Sequence, residues 1–142
     1  MHTYSNRELI DAAMTVLNPR PLALGNNAGD VACALQSGSG KIFLGVCMDI
    51  GSGIGFCAEH AAVAAMITAG ESRVDKIVAV WGEGTVLPPC GRCRELLYEI
   101  DAENYENTIV VLGKDQAVRL KELLLTPTMR CGTNDACASD PA

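Results

Sequence analysis

Four residues of this chain have types and spacing suited to chemistry: Cys57 and Glu59 in "GFCAEHAAVAAM", and Cys90 and Cys93 in "PPCGRC". Cys90 and Cys93 lie three apart at the opening of a predicted helix, so both thiols can reach one face near its N-terminus. Cys57 holds the matching place on an earlier predicted helix. A C-x-x-C pair plus one distant cysteine fills three of the four tetrahedral positions that zinc prefers. Leaving the fourth to water is the pattern of a catalytic site, where the metal activates that water.

The same thiols have plainer readings. A fourth cysteine from among Cys33, Cys47, Cys131 and Cys137 would complete a structural zinc site, and a C-x-x-C opening a helix after a strand also fits a thiol-disulfide oxidoreductase using Cys90 and Cys93. Glu59 alone would pass for a first-turn acid favoured by the helix dipole. Beside three convergent thiols it favours catalysis. One residue separates it from Cys57, so its carboxylate can stand next to the metal without ligating it and shuttle protons.

Three thiolates around a divalent cation leave the centre negative, and something positive must offset it. The two helix N-termini contribute, and Arg92, Arg94 and His60 are the nearest cationic or donor side chains in sequence. Arg92, inside the C-x-x-C, is the expected thiolate partner. His60 is either a donor to a ligand sulfur or a packed histidine at a contact.

Elements that place these residues can be read along the chain. Ser5 and Glu8 form a capping-box pattern ahead of apolar residues at helical spacing, predicting a helix from there to Leu17. Strands are expected over 31–36 and 41–47 as a hairpin around a Gly/Ser turn. "CAEHAAVAAMITAG" reads as a helix closed by Gly70, "VDKIVAVW" as a strand, "CGRCRELLYEI" as a helix and "NTIVVLG" as a strand. "QAVRLKELL" reads as a short strand leading into a last helical turn. The order α-β-β-α-β-α-β-β-α implies an α/β fold with a mixed sheet of about five strands flanked by helices.

The 142 residues suit one domain, 1–142, with periodicity ending at 127–142, a C-terminal extension that holds Cys131 and Cys137. Hydrophobic residues make up 49% and aromatics 4%, so the core must rest on Ala, Val, Ile and Leu. A net charge of -6 without a Lys/Arg run disfavours a polynucleotide partner and suits a small neutral or cationic molecule. No apolar run is long enough to span a bilayer, and the first residues do not read as a secretory leader, so the expectation is a cytoplasmic protein. Seven cysteines, an odd number, argue for thiols or metal ligands over a complete disulfide framework.

C-A-E at 57–59 followed by P-C-G-R-C at 89–93 resembles the zinc-dependent cytidine deaminase superfamily in its three-cysteine form. The resemblance runs from "VACALQSGSGKIFLGV" to "KELL" and extends at "CGRCR" to the blasticidin S deaminase branch. It implies the three-layer cytidine deaminase-like fold, one Zn²⁺ per chain on Cys57, Cys90 and Cys93, and Glu59 as general acid/base. The implied reaction turns the amino group of a cytosine-type nucleoside or related aminopyrimidine into a carbonyl and releases ammonia. Another amino-heterocycle, of the blasticidin S type, is the alternative substrate, and a homotetramer the implied assembly.

Substrate contacts implied by the resemblance fall at Cys33, Cys47, Asp49, Ala58, Trp81 and Pro88, with a backbone carbonyl at Pro88 receiving the exocyclic amine. The family's sugar-reading N-x-E appears here as "CMD", placing Cys47 and Asp49 at the informative positions. A thiol partners a hydroxyl weakly, whereas Asp49 can accept from one. The family's Arg after C-A-E is His60, and its late aromatic is missing, leaving Trp81 as a flat wall or as core filling.

Overall fold

The computed structural model describes residues 2–128, so the extension at 127–142 and both of its cysteines lie almost wholly outside the described residues. Helix α1 spans Asn6–Met14 and opens on the expected capping box: Ser5 Oγ accepts from Glu8 N at 3.2 Å, and Ser5 N donates to Glu8 Oε2 at 2.8 Å. It stops before Leu17 because Val16 N and Leu17 N turn back to Ala13 O and Met14 O, three residues away, in the tighter 3-10 pattern.

Seven strands form one mixed sheet. They are β1 (Arg20–Pro21), β2 (Asn27–Ser37), β3 (Ile42–Asp49), β4 (Val74–Trp81), β5 (Thr85–Leu87), β6 (Ile109–Gly113) and β7 (Gln116–Arg119). β2 runs antiparallel between β3 and β4, with Ala34 opposite both Leu44 and Val78. β4 pairs parallel with β6, which pairs antiparallel with β7. These five make up the expected sheet, and β1 and β5 add short pairings on β2 and β4.

Alternation along the strands sorts the core into two faces. Cys33, Leu35, Ile77 and Val110 pack with one cluster, joined by Ala62, Val63 and Met66 of α2 (Ala58–Thr68) and Leu97 of α3 (Gly91–Ile100). Ala32, Ala34, Val78, Val80 and Val111 pack on the opposite face with Leu9, Ile10 and Ala13 of α1. Three layers result: α1, sheet, then α2 with α3. A short helix, α4 (Asn104–Asn107), closes the α3 side through buried Asn104, which bonds Ser72 O, Leu97 O and Val74 N.

β3 and β4 flank β2 and run in the same direction without pairing with each other. Both therefore deliver the chain to the same sheet edge, where α2 and α3 begin. A bridge from Met48 to Phe56, with N–H···O distances of 3.0 and 3.1 Å, ties the loop before α2 to the end of β3. α2 also lies very close to the sheet at Gly45. A Cβ there would stand 2.6 Å from Ala61 Cβ, 2.7 Å from Ala58 O and nearer still to Ala62 N, so the helix rests on a position that must have no side chain.

Candidate active site

Cys57 and Cys90 occupy the N-cap positions of α2 and α3, both in extended backbone and both without a side-chain capping bond. Each sulfur therefore stands at the positive end of a helix, where N–H groups favour negative charge. Cys93 follows in the first turn of α3. Cys57 Sγ lies 3.6 Å from Cys90 Sγ, and Cys90 Sγ 3.5 Å from Cys93 Sγ, with all three within 4.8 Å of one another. Sulfurs bound to one tetrahedral zinc at about 2.3 Å are about 3.8 Å apart, so the donor set and its spacing fit that ion.

The thiols differ in electrostatics. Burial raises Cys57, and its neighbour Cys90 raises it further. Burial followed by the charge of Glu59 pushes Cys93 far above the ordinary thiol range. Burial acts against the Cys90 thiolate too, but the backbone N–H of Cys93, the Cys93 and Cys57 thiols and the backbone N–H of Arg92 outweigh it and lower this thiol. Arg92 thus serves Cys90 through its main chain, while its exposed side chain borders a separate hollow with His60 and Glu95 and bonds no sulfur among the described residues.

Glu59 is 6% exposed in the first turn of α2, and its Oε2 accepts from Cys93 Sγ at 2.8 Å. His60 places Nδ1 3.5 Å from the same sulfur and tilts its ring towards Phe56. Partial burial, then the charge of Arg92, lowers its pKa. Its place beside the sulfur is therefore suited to a neutral ring. Arg94 turns away from the sulfurs: Nε donates to Pro89 O at 2.7 Å and Nη1 to Leu123 O at 2.9 Å, clamping the segment that leads into Cys90.

A cleft of ≈ 180 Å³ opens beside the sulfurs, lined by Val31, Cys47, Cys57, Ala58, Glu59, Leu87, Pro88 and Cys90. Of the expected substrate residues it gathers Cys47, Ala58 and Pro88. It leaves out Cys33, which is fully buried in the sheet two residues deeper than Val31 and whose thiol is raised by that burial and by Glu59. Asp49 is exposed beyond the cleft, opposite Asn27. Trp81 is half-exposed at the end of β4 opposite Val31 and Thr85, neither core filling nor a cleft wall. Val31 and Leu87 are lining residues that the sequence reading does not single out. Strand parity with Cys33 marks Val31 once the extent of β2 is known, but nothing marks Leu87 on a three-residue strand.

No family model matches this chain. A stretch of 70 residues is 37% identical to the cytidine deaminase of Mycobacterium tuberculosis (strain H37Rv), covering 49% of this chain and 53% of that protein. The match thus spans about half the length of the curated relatives. The crystal structure of the M. tuberculosis cytidine deaminase superposes with a TM-score of 0.72 and 27% identity over 87% of this chain and 97% of that one. Cytidine deaminase from Mycobacterium leprae gives 0.68 and 28% over 83% and 95%. At 23% identity and a TM-score of 0.68, the Burkholderia pseudomallei cytidine deaminase shares the fold.

Proposed function

We propose that this chain, which belongs to the cytidine deaminase superfamily, is a zinc-dependent hydrolytic deaminase acting on a cytosine-type nucleoside or related aminopyrimidine. The observation that carries this reading is the position of Glu59, a buried carboxylate that lines the cleft and hydrogen-bonds a sulfur of the three-cysteine cluster. Cys57, Cys90 and Cys93 would hold one Zn²⁺. When bound, zinc acts as a Lewis acid that lowers the pKa of water.

Glu59 accepts the proton that water gives up as oxygen bonds to the amino-bearing ring carbon, and passes it to the adjacent ring nitrogen. It then carries a second proton, from the new hydroxyl, to the amine. The carbon–nitrogen bond breaks with its electron pair leaving on nitrogen, so one water is consumed and one ammonia is released. Pro88 lines the cleft, and its carbonyl is the acceptor that the resemblance implies for the exocyclic amine. His60 Nδ1, 3.5 Å from Cys93 Sγ, would support the cluster as the tautomer that carries its proton on that nitrogen, and the helix ends would hold the thiolate charge.

The oxidoreductase alternative is not favoured, because Cys57 stands as near Cys90 as Cys93 does, and a dithiol site has no use for Glu59. Among the described residues no helix is long and apolar enough to cross a membrane, and a cytoplasmic, single-domain protein with an extension at 127–142 is our reading. We assign a homotetramer on the resemblance and on α2, which from Ala61 to Ile67 is apolar on every face yet exposes Ala64, Ala65 and Ile67, residues that suit a helix from another copy. Light scattering tests the assembly.

Zinc-loaded protein screened for ammonia release over cytidine, deoxycytidine, cytosine, blasticidin S and guanine tests the activity. Release from at least one is expected. A metal-free protein with a reversible Cys90–Cys93 disulfide would sink the reading.

A further inference from the structure

We propose that Arg94 is a positioning residue for the reaction: it fixes the angle between the Pro88 carbonyl, which the resemblance makes the acceptor of the substrate's amine, and the Cys90 sulfur that would hold the metal. This rests on the deaminase reading and adds to it a residue whose side chain turns away from the sulfurs. Arg94 grips the two peptide groups on either side of Cys90. Its side-chain Nε donates to Pro89 O at 2.7 Å, and its backbone N–H donates to Cys90 O at 3.0 Å.

The composition of this turn explains why the grip matters. Proline rings fix φ at 88 and 89, and a proline at 89 confines Pro88 to extended backbone. Neither residue has an N–H, so neither can be tied down as a donor. The rotation left open before Cys90 is ψ of Pro89, and the Pro89 carbonyl turns with it. Among the described residues Arg94 is the only side chain that bonds this dipeptide. A swing about that bond moves the Pro88 carbonyl relative to the Cys90 sulfur, and a misplacement of about 1 Å can cost roughly a hundredfold in rate.

The grip is itself anchored in the core. A second guanidinium donor, Nη1, meets Leu123 O at 2.9 Å. That carbonyl follows the 3-10 turn at Leu120–Glu122, which Leu123 N and Leu124 N close by donating to Leu120 O. Leu120, fully buried, donates its own N–H to Thr108 O, and Thr108 Oγ1 donates to Val74 O on β4. A chain of bonds thus runs from the sheet to the turn that precedes Cys90. The planar fork spans both carbonyls, which a lysine ammonium does not.

The test compares Arg94→Lys and Arg94→Met with Ile10→Ala, a core variant on the far face of the sheet, each assayed below the temperature at which its circular dichroism shows unfolding. Cobalt(II), whose thiolate absorption reports the cluster without any substrate, is expected to bind both Arg94 variants about 10–100-fold more weakly than wild type. With zinc saturating, kcat/KM for the panel compound turned over best, cytidine in our reading, should fall by a similar factor. The inhibition constant of its carbonyl product, uridine, should move by less than about threefold, because a carbonyl cannot donate to Pro88 O. Ile10→Ala is expected to keep all three wild-type values. Wild-type values in Arg94→Lys, or equal losses in Ile10→Ala, overturn the proposal and leave the deaminase reading standing. A uridine constant that rises as far as kcat/KM falls overturns the placing of the Pro88 carbonyl. No ammonia from any compound in the panel, with zinc bound, removes the deaminase reading and the part that concerns Pro88, while the cobalt titration still upholds or overturns the placing of Cys90.

Discussion

Cys93 Sγ donates to Glu59 Oε2 at 2.8 Å, a bond that joins the start of α3 to the start of α2 across the buried side of the cluster. One of its ends is a metal-ligating atom type and the other is the acid–base group of the proposed reaction. The bond belongs to the thiol form: a thiolate that holds zinc has no proton to donate, so metal binding at Cys93 would release Glu59 for proton transfer, and replacing the two residues should separate these roles.

Glu59→Gln keeps the side chain's size and its ability to hydrogen-bond, but an amide cannot carry a proton. The rate of ammonia release is expected to fall by about 10²–10⁴-fold, the usual contribution of a positioned general acid or base. Zinc content, measured by elemental analysis, should remain one per chain. Loss of zinc in this variant would make Glu59 a ligand instead.

Cys57→Ser, Cys90→Ser and Cys93→Ser each remove one of three thiolates, and each should drop bound zinc well below one per chain. Metal that binds only the folded chain stabilises it by about 2.7 kcal/mol at a hundred times Kd. Chelating the wild-type protein should therefore lower Tm by roughly 5–10 °C, while Cys57→Ser should show no response to chelator. Equal responses in both would place the metal elsewhere.

Gly45→Ala adds a methyl group inside 3 Å of Ala58 O, Ala61 Cβ and Ala62 N. The helix backbone cannot yield without lifting α2, so the variant should lose about 1–3 kcal/mol by urea unfolding. Zinc affinity should fall with it, since Cys57 caps the displaced helix. Unchanged affinity would show that the cluster does not depend on the height of α2.

Arg94→Met removes both donors from the carbonyls of Pro89 and Leu123, at an expected cost of about 2–3 kcal/mol. Arg94→Lys keeps the charge, yet a single ammonium cannot span two carbonyls as the planar guanidinium does, so it should recover no more than half of that stability. Full recovery by Lys would mean that charge, not the fork geometry, holds the loop.

Much of the cluster was legible because it depends on local rules. Cys57, Glu59, Cys90 and Cys93 sit at helix openings, where the spacing itself fixes which atoms share a face, and the strand order then brings the two openings to one edge. The substrate residues depended on long-range register. Cys33, Cys47 and Asp49 all face the α2 side by parity, but only Cys47 lies where the helix mouth leaves space. Cys33 is too deep beneath α2 and Asp49 lies past its end.

Elements went unread for related reasons. β1 and β5, with two and three residues, are too short to show a period of two. β2 begins at Asn27, four residues before its expected start, because Gly29 at φ +82° and a register shift between Ala28 and Ala32 break the alternation there. The expected sulfur contact of Arg92 failed to appear because its side chain leaves α3 on the solvent side while its backbone N–H faces Cys90.

The bond from Arg94 to Leu123 O also sets where this chain can be shortened. A version ending at Leu124 retains the carbonyl that holds the segment before Cys90, whereas one ending at Glu122 leaves half of the guanidinium without its acceptor. A shortened chain that keeps the segment before Cys90 in place must therefore run at least through Leu123, one residue past the 3-10 turn at Leu120–Glu122.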